Sequence, residues 1–233
     1  MGQPQAAREL GPADEWVSAA CASAGFALSA PQAAMLGRYL ELLNRWNQVH
    51  SLTAIESPEE QVTKHILDSL AAWQAALQAC GGFANGLIAD VGSGMGAPGV
   101  VWAAVMPESR FALVERQQKK AAFLRHVIGQ LGWAGRVRVI ESDVRDLSGK
   151  LRANLIASRA FADLQSFLAL TAGISAPGTW WAAMTGRQNK EVSEQLLIKM
   201  AKQIIELRTS PAIRLDVPGL SAERHLILAR REK

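Results

Sequence analysis

The sequence of 233 residues has two cysteines, Cys21 and Cys80. That is too few for a disulfide framework or a cysteine-ligated zinc site, so no metal is expected and a reducing compartment is the simplest reading. There is no uncharged apolar run of bilayer length. The start, MGQPQAAREL, lacks the apolar core of a signal peptide, and Ala6 stands where a myristoylation motif wants Ser or Thr. A cytoplasmic chain without a membrane anchor is therefore expected. Charge excess is also small, 25 Lys and Arg against 21 Asp and Glu, a net +4. That balance permits an anionic partner without requiring one. Its distribution says more: between Glu108 and Arg152 ten basic residues stand against five acids, which fits either solvated helix faces or a surface that meets phosphate.

What is present falls into two parts. Apolar residues recur at helical spacing through 13 to 25 and again from Pro31 to Trp46, with Met35, Leu36, Tyr39, Leu40, Leu43 and Trp46 on one stripe. Ser29 and Pro31 are start signals for the second helix. Ser57, Pro58 and Glu60 form a capping pattern for a third, QVTKHILDSLAAWQAAL, which should stop at Gly81 and Gly82. From Gly86 the period changes. Short apolar runs at 87–91, 111–115, 137–140, 154–158, 179–184 and 225–230 alternate with helical patterns at 97–106, 117–131, 161–173 and 188–207. Strand and helix in alternation imply a mostly parallel, doubly wound α/β sheet, here at 86–233, preceded by an N-terminal helical extension at 1–85.

In such sheets ligands sit outside the carboxyl ends of the strands. The first strand ends in LIADVGSGMGAPG. Gly92 and Gly94 let the backbone turn tightly and approach a ligand, and Pro98 suits the first turn of a helix. Gly92, Gly94 and Ala97 satisfy the dinucleotide pattern G-x-G-x-x-G/A, with Glu115 at a distance suited to ribose. A nicotinamide-dependent oxidoreductase therefore stays open. Asp90 argues the other way: a carboxylate at a buried strand end needs a partner. The ammonium and sulfonium of S-adenosylmethionine could supply one, and so could loop N–H groups. The loop has no lysine, so a nucleoside triphosphate is disfavoured. After the third strand, Asp143, Val144 and Arg145 stand where backbone groups and an apolar edge could grip an adenine.

Other absences narrow the chemistry. After the fourth strand, NLIAS, no Asn/Asp-Pro-Pro-aromatic turn follows for exocyclic amine methylation. No cysteine follows a late strand to serve as the thiolate of cytosine C5 chemistry. Guanine N7 already owns an in-plane lone pair and loses no proton on methylation, so a site without acid–base machinery is consistent with it. His65, Asp68 and Ser69 share one helix and lack the strained turn and oxyanion hole of a hydrolase triad; a packing network is expected there. Tyr39, Leu43 and Trp46, like Trp180 and Trp181, are expected in the core.

Several segments in order, LLNRWNQVHSLTAI, EEQVTKHILDSL, IADVGSGMGAPG, KKAAFLRHV, IASRAFADL and AERHL, resemble the small-subunit ribosomal RNA guanine-N7 methyltransferase (RsmG, or glucose-inhibited division protein B) family from about Met35 to the end. The resemblance implies a Rossmann-like, S-adenosylmethionine-dependent methyltransferase that acts on N7 of one guanine in 16S rRNA of the small ribosomal subunit, and a monomer is expected. By position, Gly92 and Ala97 would line the cofactor, Val144 and Arg145 would flank its adenine, and Arg159 would reach into the site as the one catalytic candidate. Asp90, Gly94 and Glu115 complete the expected cofactor set. Lys119, Lys120, Arg125 and Arg187 are candidates for RNA backbone. The chain departs from the family pattern at Ala97, where an aromatic or leucine is usual, and at Thr185–Gly186, where Lys-Gly is usual. The lysine's role would fall to Arg187 or Lys190, and a cofactor-binding, ribosome-associated protein without turnover is a further alternative.

Overall fold

A computed structural model of the chain describes residues 12–81, 86–159, 161, 163–186, 194–199 and 204–232. The helical prefix begins with α1 (Ala13–Ser23) and α2 (Ala30–His50). Ser29 caps α2 in a reciprocal box with Gln32, and Leu36, Tyr39, Leu40 and Leu43 are buried as the stripe requires. Gly37 lets the two helices touch, because a Cβ there would lie 2.7 Å from the backbone nitrogen of Asp14. A third helical path runs through α3 (Pro58–Gln61), a π-helical turn (Val62–Leu67) and α4 (Asp68–Cys80). It starts with Ser57 accepting from the Glu60 N–H and stops at Gly81 in the left-handed region, φ 67°. The π turn has no counterpart in the sequence reading. Its wider hydrogen bonding, with the Asp68 N–H donating to Thr63 O, is of a kind often found at functional sites.

The α/β part runs β1 (Leu87–Val91), α5 (Gly99–Val105), β2 (Arg110–Glu115), α6 (Gln118–Gln130), β3 (Val137–Glu141), β4 (Ala153–Ser158), α7 (Leu164–Thr171), β5 (Ser175–Thr185), β6 (Gln195–Lys199), β7 (Ile204–Thr209), β8 (Ile213–Leu215) and β9 (Arg224–Arg231). Strands pair in the order β3-β2-β1-β4-β5-β9-β7-β6, with β8 on β9. The first five are parallel, so the order reverses between β1 and β4, the position at which such sheets bind ligands. The last four pair antiparallel.

Alternation along each strand builds two cores. On one face Tyr39, Leu43, Ile66 and Leu70 of the helical prefix pack with Trp102, Phe123, Leu155 and Leu226. On the other, Val91, Ile156 and Trp181 pack under Phe167 and Leu168. Trp46 lies edge-on to Phe123, with ring centroids 5.6 Å apart, so the aromatic stripe is core as expected.

One expected element is corrected. Residues 188–207 do not form a helix where they are described: Gln195–Lys199 and Ile204–Thr209 are paired strands. On β7, Ile205, Leu207 and Thr209 are buried while Ile204, Glu206 and Arg208 are exposed, a period of two. The edge of β9 supplies unpaired backbone groups that a helix could not satisfy, and tertiary pairing overrides the local spacing.

Candidate functional site

A cavity of about 670 Å³ opens at the carboxyl ends of β1, β2 and β4. Seven of the eight expected cofactor residues line it: Gly92, Gly94, Ala97, Glu115, Val144, Arg145 and Arg159. Gly92 and Gly94 have φ of 74° and 56°, a region that L side chains rarely adopt. A Cβ on Gly92 would meet no atom within 4 Å, so its face is open to the cavity. Both oxygens of Glu115 are engaged, one accepting from the Gly94 N–H at 2.9 Å and the other from the Gln117 N–H at 2.8 Å. The acid of the second strand thus fixes the glycine loop of the first.

Asp90 is the exception and corrects the expectation that its carboxylate faces a cationic ligand. It lies on the same face of β1 as Ile88, beneath the helical layer, is 1% exposed, and is absent from the cavity wall. Its Oδ2 accepts from the Gly99 N–H at 3.0 Å, at the start of α5, where a carboxylate also complements the helix dipole. Burial pushes the carboxyl up to about 6, against the hydrogen bond from the Gly99 N–H, while the Ser93 hydroxyl donates to the Asp90 backbone carbonyl. Asp90 supports the loop from behind. Of the two partners weighed in the sequence, a loop N–H meets Oδ2, while the buried Oδ1 has no hydrogen-bond partner among the described residues.

Across the cavity, Asp143 accepts from the backbone N–H, Nε and Nη2 of Arg145 at 2.8–3.0 Å. These bonds hold the Asp143 carboxyl down to about 2. They also set the three-ten turn Val144–Leu147, which leaves the Val144 side chain, 8% exposed, on the wall. Met95, Gln117, Lys120, Ser158, Phe161 and Leu170 line the cavity as well and were not among the expected cofactor residues. Gln117 and Lys120 carried a positional signal, since they follow the second strand, whereas Phe161 and Leu170 arrive only through tertiary folding.

Arg159 does more than reach into the cavity. Its Nη1 donates to the Lys64 carbonyl at 2.6 Å in the π turn and stands 3.7 Å from Asp68; its Nη2 lies 3.5 Å from both His65 Nδ1 and Met95 Sδ. The end of β4 is thereby tied to the helical prefix. His65, Asp68 and Ser69 form the expected packing network and no triad: the Ser69 hydroxyl donates to His65 O, and Ser69 O accepts from the Trp102 indole N–H.

The basic residues are not equivalent. Arg125 pairs with Glu141 at 2.7 Å, and Arg136 lies over the Trp133 ring. Lys119 is exposed on α6, while Lys120 is half-buried at the cavity. Arg187 and Lys190 lie outside the described residues. Among the described residues no helix is long and apolar enough to cross a membrane.

The family described as rRNA small subunit methyltransferase G matches this chain over residues 32–226. The "Ribosomal RNA small subunit methyltransferase G" of Laribacter hongkongensis is 38% identical over 214 residues, covering 91% of this chain and 96% of its own. That of Cupriavidus pinatubonensis is 38% identical over 224 residues, 93% of each. Among solved structures, cofactor-bound Rv0187 from MTB has a TM-score of 0.57, covering 97% of this chain and 100% of that one, at 15% identity, a likeness of fold.

Proposed function

The chain belongs to the rRNA small subunit methyltransferase G family, and from that premise we propose that it transfers a methyl group from S-adenosylmethionine to N7 of one guanine in 16S rRNA of the small subunit. The observation that carries the reading is the cavity at the switch point, walled by a glycine loop that an acid on the next strand holds in place.

The residues fit such a cofactor. The volume is in the range of small-molecule sites. The Gly92 face gives close backbone approach. Glu115 is assigned to the ribose hydroxyls, through the lone pairs its two backbone N–H contacts leave, and Val144 to an edge of the adenine; both line the cavity. S-adenosylmethionine supplies an electrophilic methyl group. The protein's part is to position: Gly92, Gly94 and Ala97 present backbone, Arg145 and Arg159 present positive charge, and Asp90 stiffens the loop.

Guanine N7 has a lone pair in the ring plane and no proton to lose, so alignment rather than a general base sets the rate. Exposed cations such as Lys119 and Arg125 are assigned to RNA backbone, contacts that position without reading sequence, and Arg187 joins them by its place in the chain. Residues 86–233 are taken as the methyltransferase domain and 1–85 as its helical extension. The protein is taken to act as a monomer in the cytoplasm.

Calorimetry tests the cofactor, with saturable S-adenosylmethionine binding and no NAD binding expected. Incubation of unmodified small subunits and of naked rRNA with labelled S-adenosylmethionine tests turnover. Cofactor binding without label transfer to either would leave a binding protein rather than an enzyme.

A further inference from the structure

A second cavity, about 300 Å³, lies beside the first, and its wall carries Lys64, His65, Asp68, Arg159 and Arg224. Arg159 lines both. A narrow recess shares Ser158 and Phe161 with the first and Met184 and Thr185 with the second. The second cavity therefore sits at the ends of β4 and β5, next to the cofactor cavity, where an acceptor must lie for direct transfer.

Two residues of its wall each carry a buried polar atom with no hydrogen-bond partner among the described residues, Asp68 Oδ1 and His65 Nε2, and both residues are 1% exposed. Leaving such groups unpaired is unfavourable, so each needs an explanation. Asp68 is flanked by guanidiniums, Arg159 Nη1 at 3.7 Å and Arg224 Nε at 3.5 Å. Both distances are longer than the roughly 2.7–2.9 Å of a charge-assisted hydrogen bond. Its charge is balanced by the two guanidiniums, while Oδ1 makes no hydrogen bond.

His65 is neutral, because burial and then Arg159 push its pKa down to about 3. Its Nδ1 lies 3.5 Å from an Arg159 donor, and the tautomer assigned to it makes Nδ1 the acceptor and puts the proton on Nε2. One wall thus holds an unused donor and an unused acceptor three residues apart on a helical path.

Guanine's Watson–Crick edge is the complement: O6 accepts, while N1–H and the N2 amine donate. Adenine presents an amine where guanine has O6 and an acceptor at N1. The geometry points to this cavity as the pocket of the acceptor guanine, with Asp68 Oδ1 receiving N1–H and the N2 amine and His65 Nε2–H donating to O6. The assignment rests on the methyl-transfer reading above and names the residues that choose the base.

A base turned out of its stack is commonly read on this edge. Arg224 stands 3.5 Å from the buried Asp68 Oδ1 with its side chain 26% exposed, so the assignment requires it to move aside for the base to reach that oxygen. Lys64, Arg159 and Arg224 against Asp68 and Glu60, which pairs with Lys64 at 2.7 Å, leave one positive charge in excess at the pocket, which suits the nucleotide's phosphate. N7-methylguanine is a cation, and a carboxylate on its N1–H stabilises the charge that develops.

The test uses the full-length protein and small subunits reconstituted from 16S rRNA with guanine, inosine or adenine at the target position. Inosine keeps N7, O6 and N1–H but lacks the N2 amine. The wild-type protein is expected to methylate inosine subunits roughly tenfold or more slowly than guanine subunits, with adenine slower still. Asp68→Asn should lower the guanine rate roughly ten- to a hundredfold and shrink the guanine-to-inosine ratio. His65→Phe should lower the rate and leave that ratio unchanged, because both bases carry O6. Because His65 and Asp68 also flank Arg159, cofactor affinity is read by calorimetry in both variants and rates are compared at saturating S-adenosylmethionine, so that the guanine-to-inosine ratio reports on the base alone. Equal wild-type rates on guanine and inosine overturn the pocket assignment, even where Asp68→Asn does not fold. No wild-type methylation of guanine subunits overturns instead the reading on which it rests.

Discussion

The hydroxyl of Tyr39 on α2 donates a hydrogen bond to the Met95 carbonyl in the glycine loop, across 3.1 Å and 56 residues of chain. The helical prefix therefore holds the loop from one side while Glu115 holds it from the other. Tyr39 is fully buried, and burial pushes its phenol far above the usual range, so the group stays protonated and a donor. Tyr39→Phe keeps the ring and leaves the Met95 carbonyl unpaired. Urea unfolding should show a loss of about 1–2 kcal/mol, and calorimetry should show weaker S-adenosylmethionine binding. Full retention of cofactor affinity would mean that the prefix does not help to shape the loop.

Gly99 and Gly129 make a contrasting pair. A Cβ on Gly99 would lie 2.5 Å from Leu113 Cδ2 and 2.6 Å from Asp90 Oδ2, both in packed surroundings, so Gly99→Ala should destabilise by about 1–3 kcal/mol. A Cβ on Gly129, inside α6, meets nothing within 4 Å, so Gly129→Ala should stabilise by about 0.5–1 kcal/mol. Thermal or urea unfolding of the two variants checks both signs.

Asp90 gives a pH dependence. Its carboxyl titrates near 6 in the folded protein against an ordinary 3.8, so the folded state binds its proton more tightly than the unfolded chain. The resulting stabilisation is complete below about pH 4 and is lost as pH rises through about 6; the shift corresponds to on the order of 3 kcal/mol. Asp90→Asn cannot titrate. The stability of this variant relative to wild type should therefore rise by that amount between pH 4 and pH 7 in urea titrations. A constant difference across that window would remove Asp90 as the source.

Charge contacts with RNA should weaken with salt. For a cation that meets phosphate, substitution lowers the log–log salt slope of subunit affinity by about one. Lys119→Gln, on the exposed surface of α6, should do this without altering cofactor affinity. Lys120→Gln, at the cavity wall, should alter both. Filter binding over a salt series and calorimetry separate the two.

Much of this arrangement was legible in the sequence. The parallel strands announced themselves as short apolar runs, and Leu87–Val91 falls on the residues expected. The glycine loop, Glu115 and Val144 were placed by the rule that ligands sit at strand ends. The β6–β7 strand pair was not legible, because its apolar residues also fit a helical period and only pairing with β9 decides between the two. Asp90 was legible as a buried acid but not in its direction, which depends on strand pleat. Arg159 was visible as a candidate, whereas its bond to the Lys64 carbonyl depends on a π turn that no local pattern marks.

Methyl transfer to guanine N7 in the small subunit leaves a product that can be read directly. The most direct measurement is nucleoside mass spectrometry of 16S rRNA from subunits of a strain lacking this protein, before and after incubation with protein and S-adenosylmethionine. A gain of N7-methylguanosine, mapped to a single position, is the predicted result. An unchanged nucleoside profile, or methyl groups on a base other than guanine, would contradict it.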